Sequence, residues 1–354
     1  MNELDVDELQ AKAKERTVRT QSIEYDLETL LKRINNGTIK IDPSYQRRHR
    51  WRPETSSRLI ESLLLNIPIP IIYLSQDIDL DEEIDESTPA FTVIDGQQRL
   101  TAIKEFMSGE LELKGLEVLD SLNGLRYDEL PRFLKRRLED RSISCLRIDS
   151  TVDEQVKFDI FERLNSGSVE LTAQELRNAT YGGPFNEMIK RLSADALFQE
   201  LTCMSPARRD KMEDVELVLR FFALTGGRYR SYKPNMKDFL NSSMQQFSYL
   251  REGDLNEFEN RFFRIFKQIK AAFGAEPFSK WKKDDGAKAS RFNAAVFDAV
   301  VVATDNTPAM AEDAAMKLRS LFDDESFQEN VSGSINDAAK LIGRIAAVEA
   351  AIRG

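Results

Sequence analysis

The sequence predicts an α+β domain over residues 20–180, followed by an all-helical domain over residues 181–354. In the first half, short apolar runs of strand length alternate with helical periodicity, and after about Pro184 the strand pattern is lost. The chain has 354 residues, of which 41% are hydrophobic, and this is enough for two cores of ordinary size.

Strands and helices alternate in the first half. The predicted strands are Thr38–Ile41, Ile69–Leu74, Phe91–Ile94 and Ser142–Ile148. The predicted helices are Asp26–Asn35, one that begins at Pro53, Gln97–Ser108, and one near Leu130–Leu138. A hairpin is predicted at Glu110–Leu113, with Gly115 in its turn. Capping boxes that begin further helices are predicted at Thr151 with Glu154 and at Thr172 with Glu175.

The second half contains helical periodicity throughout. Helices are predicted at Val215–Leu224, Phe258–Phe273, Phe292–Ala303 and Ala338–Ala351. Their apolar stripes are most simply interpreted as core, and no chemistry can be assigned to them from the sequence.

Composition excludes several classes of protein. His49 is the only histidine, so the sequence lacks the imidazoles of a ββα-metal nuclease, a Ser-His-Asp hydrolase or a multi-histidine metal site. No glycine is followed by lysine, which excludes a P-loop. Any chemistry must therefore use carboxylates, Arg, Lys, Gln and Mg²⁺.

Charge and hydropathy limit the partners. The net charge is −10, so contact with DNA requires a local basic patch. The longest apolar stretch, Leu63–Leu74, is far short of the ~20 residues that cross a membrane. Cys145 lies in the apolar run Ile143–Ile148, which predicts a buried free thiol, and Cys203 is too distant in sequence to suggest a disulfide framework. We expect a cytoplasmic protein without a membrane partner.

The candidate chemical motif is Asp95-Gly96-Gln97-Gln98-Arg99, where a predicted strand passes directly into a helix. Free N–H groups and the helix dipole at such a start suit a phosphate, and Gly96 allows close approach of the backbone. Arg99 offers a planar fork to phosphate oxygens, Asp95 could bind Mg²⁺, and the amides of Gln97 and Gln98 could position a γ-phosphate or a nucleophile. The alternative is a capped turn in which Arg99 pairs with a nearby carboxylate.

A basic and aromatic segment precedes the second helix. It consists of Tyr45, Gln46, Arg47, Arg48, His49, Arg50, Trp51 and Arg52. Aromatic stacking combined with Arg–phosphate contact is how proteins hold nucleotides and nucleic acids. We therefore expect DNA contacts from Arg48, Arg50 and Arg52, whereas Trp51 itself is predicted to pack in the core.

Several sequence strings together resemble one family. They are Pro43-Ser44-Tyr45-Gln46-Arg47, Ile67-Pro68-Ile69-Pro70, Val93 to Thr101 with its Asp-Gly-Gln-Gln-Arg motif, Phe161 to Gly167, Leu171-Thr172 with Glu175-Leu176, and Arg291-Phe292-Asn293. The chain resembles the amino-terminal domain of GmrSD-type restriction enzymes, which is related to ParB and sulfiredoxin.

This resemblance implies a small ParB/sulfiredoxin-like mixed sheet that binds and hydrolyses a nucleoside triphosphate in anti-phage defence. It implies catalytic roles for Asp95, Gln97, Gln98 and Arg99, with Mg²⁺ on Asp95. The nucleotide pocket is then expected to include Tyr45, Gln46, Arg47, Gly96, Thr101 and Asn165. Many relatives carry an HNH nuclease domain, which a sequence with one histidine lacks. A separate nuclease or defence-system partner is therefore expected, together with DNA, and self-association stays open.

Two other functions remain open. One is a non-catalytic switch or adaptor that binds a nucleotide or DNA without turnover. The other is an autonomous Mg²⁺-dependent nickase, because Asp95, Glu112 and Lys114 superficially match the D…ExK pattern of nucleases. That pattern requires the Asp95 and Glu112 carboxylates to converge on one cation.

Overall fold

The computed structural model describes residues 18–41, 51–76, 90–149, 156, 160, 163, 172–283 and 287–353. Its contacts divide the chain into two compact units, Met1–Leu171 and Thr172–Gly354. An α+β first unit followed by a helical region confirms the predicted fold class. Each unit is described separately below.

The described part of the first unit contains five strands and four α-helices. The strands are β1 (Thr20–Asp26), β2 (Ile39–Lys40), β3 (Ile72–Gln76), β4 (Phe91–Asp95) and β5 (Ser142–Ile148). The helices are α1 (Leu27–Asn35), α2 (Pro53–Leu64), α3 (Gln97–Met107) and α4 (Arg132–Glu139). Short 3₁₀ turns occur at Asp120–Leu122 and Tyr127–Glu129.

The five strands form one mixed sheet in the order β1-β5-β3-β4-β2. The pairs β1–β5 and β3–β4 are antiparallel, whereas β3–β5 and β2–β4 are parallel. Apolar side chains of α1 to α4 pack with the sheet into one core cluster. On α3 the buried residues include Leu100, Ile103 and Phe106, the face that the helical spacing predicted. The sheet and this core fix the start of α3 at the end of β4.

Two strand predictions need correction. β1 was not predicted, because in Thr20–Asp26 only Ile23 and Tyr25 are apolar and most of the strand is exposed at a sheet edge. β3 begins at Ile72 rather than Ile69, because prolines at positions 68 and 70 lack the N–H that a sheet ladder requires.

The predicted hairpin at Glu110–Leu113 is wrong, because these residues form no strand. Leu111 and Leu113 are instead buried as part of a packed loop. The buried carboxylate of Glu61 on α2 holds the end of this loop, accepting the N–H groups of Val118 and Leu119 at 2.9 and 2.8 Å. Alternating leucines here reflect a loop that lies on the core.

The second unit is mostly helical. Its helices are α5 (Ala173–Thr180), α6 (Pro184–Ser193), α7 (Ala196–Thr202), α8 (Pro206–Asp210), α9 (Glu213–Leu224), α10 (Met236–Ser248), α11 (Glu252–Phe273), α12 (Ala294–Asn306), α13 (Ala314–Ser320), α14 (Glu325–Asn330) and α15 (Ala338–Ile352). The capping box at Thr172 and Glu175 is confirmed at the start of α5. The box at Thr151 and Glu154 lies outside the described residues.

The expectation of an all-helical second half needs one correction. Two short strands, β6 (Lys280–Trp281) and β7 (Lys288–Ser290), pair antiparallel. They carry few apolar residues, so they lack the alternation by which strands are predicted.

Aromatic side chains and one ion triad make up much of the centre of the second unit. The fully buried phenylalanines within it include Phe185, Phe198, Phe221, Phe222, Phe262 and Phe266. The completely buried carboxylate of Asp298 on α12 accepts Arg220 Nε of α9 at 2.5 Å and Arg344 Nη2 of α15 at 2.8 Å. One carboxylate therefore joins three helices.

Candidate functional site

The site is built on the turn between β4 and α3. Gly96 links the two elements with φ 100° and ψ 8°, in the left-handed region. A β-carbon there would lie 3.0 Å from Cγ1 of Ile72 on β3, a tight contact that adds to the strain of the positive φ and favours glycine. Asp95, the last residue of β4, pairs with Tyr73. The predicted passage from strand through Asp-Gly into helix is therefore present.

Arg99 is buried, and both of its terminal nitrogens donate to the protein. Its Nη2 donates to Oδ2 of Asp95 at 2.5 Å, and its Nη1 donates to the carbonyls of Pro70 and, at 3.2 Å, Ile71. Only 8% of Arg99 is exposed, whereas the Asp95 side chain is 40% exposed. The pair with Asp95 is the one that the capped-turn interpretation predicted. The two carbonyl contacts also join the start of α3 to the segment before β3.

The two glutamines each combine one satisfied polar atom with one unsatisfied one. Gln97 donates Nε2 to the carbonyl of Val93 at 3.0 Å, and Gln98 Oε1 accepts the N–H of Trp51 at 3.1 Å. Gln97 Oε1 and Gln98 Nε2 are buried, and neither has a hydrogen-bond partner in the described part of the chain. An unpaired buried polar atom costs about 1–3 kcal/mol, so such atoms tend to mark places where a ligand or ion completes the pairing.

The start of α3 is electrostatically suited to an anion. Glycine at the cap has no side chain to accept the first N–H groups, and the first turn contains no acidic residue. These N–H groups and the helix dipole concentrate positive potential at this end. An acceptor, a donor and a half-exposed carboxylate (Gln97 Oε1, Gln98 Nε2 and Asp95) therefore belong to one turn.

The other predicted site residues fall in three groups. Thr101 is buried within α3. Arg52 is exposed directly before α2. Tyr45, Gln46, Arg47, Arg48, Arg50 and Asn165 lie outside the described residues.

Trp51 connects the basic segment to the site. It packs against the core, as predicted, and its N–H bonds to Gln98. The residue that follows Arg50 in the sequence is thus in direct contact with the turn. Sequence reasoning did not foresee this bond or the Arg99 contacts with Pro70 and Ile71. Pro68 and Pro70 could have indicated the Arg99 contacts. They keep this segment out of the sheet ladder, so its carbonyls need other donors.

The two carboxylates of the nuclease-like pattern, Asp95 and Glu112, are both close to basic side chains. Glu112 lies 3.5 Å from Lys114 Nζ and 4.0 Å from Arg126 Nη2, and Asp95 is paired with Arg99. Among the residues described, no group of three or more His, Cys, Asp or Glu side chains could hold a metal ion. Cys145 is buried and free, as predicted, and burial raises the pKa of its thiol to about 11.

One family model matches most of the first unit and the beginning of the second. Residues 27–182 match the family described as GmrSD restriction endonuclease, N-terminal domain. This segment is similar to the N-terminal domain of GmrSD restriction endonucleases. The match extends from α1 to just beyond α5 and contains the whole Asp95–Arg99 turn. It confirms the resemblance, and the family name indicates a restriction context.

No curated protein matches the chain. In the helices of the described residues, no stretch is long and apolar enough to cross a membrane.

Proposed function

We propose that the GmrSD-like domain of this chain binds a nucleoside triphosphate at the Asp95–Arg99 turn and hydrolyses it with Mg²⁺, in a restriction system that acts on DNA. The observation that carries this proposal is the pair of unsatisfied buried atoms, Gln97 Oε1 and Gln98 Nε2, beside an uncapped helix start. A phosphate oxygen can accept from Gln98 Nε2 and from the first N–H groups of α3.

The two charged residues of the turn take different roles. Arg99 is held by Asp95, Pro70 and Ile71, so it orients the turn and adds positive potential. Asp95 has one carboxylate oxygen engaged by Arg99 and is half-exposed, so its other oxygen can face a ligand. In this proposal Arg99 is a positioning residue, and contact with the phosphates falls to the glutamines and the backbone.

Asp95 and Gln97 fit Mg²⁺ that arrives with the triphosphate. Mg²⁺ prefers oxygen ligands and is usually held by one or two carboxylates together with substrate phosphates and water. Asp95 supplies a carboxylate, and Gln97 Oε1 is an unpaired oxygen. The ion would neutralise negative charge on the phosphates, and Asp95 would orient it.

DNA and a nuclease are the proposed partners. The family is named for restriction endonucleases, and this sequence has one histidine, His49, so it contains no HNH centre. We propose that a separate nuclease partner cleaves DNA and that the nucleotide turn controls this cleavage.

A non-catalytic switch is the second candidate, and the Asp95–Arg99 pair favours it. A bound phosphate would compete with Asp95 for Arg99, and release of Arg99 would also release the carbonyls of Pro70 and Ile71. Nucleotide binding could then shift the segment before β3 without hydrolysis.

The test compares Gln98→Glu with Gln21→Glu. In Gln98→Glu the new carboxylate would still accept the Trp51 N–H, but it would replace the Nε2 donor with a negatively charged oxygen that repels phosphate. Gln21, exposed on β1, accepts from Arg147, so the same substitution there adds equal charge away from the turn. Triphosphate binding and phosphate release from ATP, GTP and CTP would be measured with Mg²⁺, with and without DNA.

We expect Gln98→Glu to weaken triphosphate binding by roughly tenfold or more and to reduce turnover, and Gln21→Glu to leave both unchanged. Binding without phosphate release from the wild-type protein would select the switch. A folded wild-type protein that neither binds nor hydrolyses any of the three triphosphates, with or without DNA, would refute the nucleotide site.

A further inference from the structure

A second charged feature lies in the helical unit, at the turn Gly226–Gly227 after α9. Both glycines are left-handed, with φ 65° and 78°. A β-carbon on Gly226 would collide with the Arg261 guanidinium and lie 2.9 Å from Arg228 Nη1. A β-carbon on Gly227 would lie 3.3 Å from Arg230 Nη1. The absence of side chains on the turn thus allows these guanidinium groups to gather over it.

Aromatic rings and carbonyls hold the cluster. The Arg228 guanidinium lies 5.4 and 5.1 Å from the ring centroids of Phe247 and Phe258, and Arg228 Nη1 donates to the Thr225 carbonyl at 3.3 Å. The Arg230 guanidinium lies 5.2 Å from the ring centroid of its neighbour Tyr229. These contacts fix the direction of the positive charges without neutralising them.

The nearby carboxylates Asp305 and Glu257 attract Arg228 without forming an ion pair with it. Asp305 accepts the Gly226 N–H at 2.8 Å and Arg264 Nη2 at 3.2 Å, so both of its oxygens are used. Glu257 lies 3.7 Å from Arg261. No carboxylate of the described residues lies within ion-pair distance of Arg228, and burial together with the Arg261 charge lowers the pKa of Arg228. Such a concentration of like charge is relieved by an anion.

We infer that Arg228, Arg230 and Arg261 bind backbone phosphates of duplex DNA. Planar guanidinium forks match phosphate oxygens, and Arg230 is exposed at the surface, where an extended polyanion can reach it. The chain has a net charge of −10, so attraction to DNA has to come from a local cluster of this kind. The inference rests on the proposed function for its choice of DNA, and it places the contact in a unit separate from the nucleotide turn.

The test measures DNA affinity of the full chain against salt concentration. The variants are Arg230→Gln, Arg261→Gln and the double substitution. Arg228 is left unchanged because it packs on two rings. The matched control is Arg191→Gln, an exposed arginine that pairs with Glu259 of α11 and so removes the same charge from a neutralised pair. A short duplex and several KCl concentrations are used, with circular dichroism to verify folding.

We expect each single substitution in the cluster to weaken binding to all duplex sequences. The magnitude of the slope of log affinity against log salt should fall by about 1 in each single variant and by about 2 in the double variant. Arg191→Gln should match the wild type. The inference would be overturned if the folded double variant kept the wild-type slope. It would also be overturned if the double variant lost binding only to inorganic phosphate or ATP and bound DNA as the wild type does. Phosphate release is measured in the same variants, and its presence or absence reports on the Asp95–Arg99 turn independently of the DNA result.

Discussion

Gly96 shows how a single backbone angle determines the candidate site. Its φ of 100° carries β4 into α3, and a β-carbon at this position would lie 3.0 Å from Ile72. We predict that Gly96→Ala destabilises the first unit by about 3 kcal/mol, because left-handed strain and a collision with Ile72 add together. Urea unfolding of the full chain, followed by circular dichroism, measures the loss.

Gly124 provides the control for this substitution. It also has a positive φ, 89°, but a β-carbon there would meet nothing within 4 Å. Gly124→Ala should therefore cost only the strain, about 1 kcal/mol. Equal losses at the two positions would show that the close approach of Ile72 contributes nothing.

At the residue scale, the sequence predicted which residues form the turn but not their bonds. The Asp-Gly step before a helical pattern indicated the geometry at Gly96, and the apolar run around Cys145 indicated a buried thiol. Neither pattern predicts the hydrogen bonds from Arg99 to the carbonyls of Pro70 and Ile71, because those bonds join positions almost 30 residues apart. Tertiary packing alone brings them together.

Glu61 ties two elements, α2 and the loop before Asp120, through its carboxylate. Burial alone would raise its pKa, but the N–H groups of Leu119, Val118 and Glu117 outweigh burial and hold the pKa below the usual 4.5. A lowered pKa in the folded state stabilises the fold above pH 4.5, and this contribution is lost as the pH falls through the folded-state pKa.

We therefore predict that Glu61→Gln lowers the unfolding free energy by about 2 kcal/mol at neutral pH, because charged hydrogen bonds are replaced by weaker neutral ones. The difference from the wild type should shrink as the pH falls below 4.5. Urea unfolding across this range measures it, with the exposed Glu110→Gln as the control. A difference that does not change with pH would contradict the role of the ionised carboxylate.

Asp298 joins helices α9, α12 and α15 through Arg220 and Arg344. We predict that Asp298→Asn destabilises the helical unit by about 3–5 kcal/mol, because two guanidinium groups would stay buried without a carboxylate. The exposed pair Glu187–Lys190 serves as the comparison, and Glu187→Gln should cost less than about 1 kcal/mol. Thermal unfolding of both variants measures the two losses. Similar unfolding midpoints for Asp298→Asn and Glu187→Gln would mean that the triad adds no stability.

At the element scale, long periodic segments were predictable and weakly patterned ones were not. The helix at Phe258–Phe273 and the strand at Ser142–Ile148 followed from spacing, since each buries a regular apolar set. β1 escaped prediction because an exposed edge strand needs little apolar character. The leucines near Glu110 gave a false strand signal, because a loop that packs on the core has the same composition.

The whole molecule consists of two compact units. Because the helical unit contains its own buried aromatic core, we predict that residues 172–354 fold when expressed separately. The fragment should give a helical circular dichroism spectrum and a cooperative thermal transition. A broad, non-cooperative melt of the fragment, beside a sharp transition of the full chain, would contradict this prediction.

At the scale of the whole molecule, the loss of strand patterns near Pro184 predicted an α+β half followed by a helical half. It did not predict the cluster around Gly226, because Arg228 and Arg261 meet only when α9 and α11 are packed. The role of the basic segment before Trp51 stays a prediction, since Arg48 and Arg50 lie outside the described residues.

The pairing of β1 with β5 has a consequence for synthesis. Thr20 pairs with Ile148, so the partners are separated by 148 − 20 = 128 positions along the chain. At about 5–20 residues per second, the ribosome needs roughly 6–26 s to add that length. During this interval β1 is translated but has no partner strand, and the β3 edge that β5 will cover is open. Unpaired strand edges are sites of aggregation and chaperone binding, so the nascent domain is most vulnerable just before Ser142–Ile148 emerges.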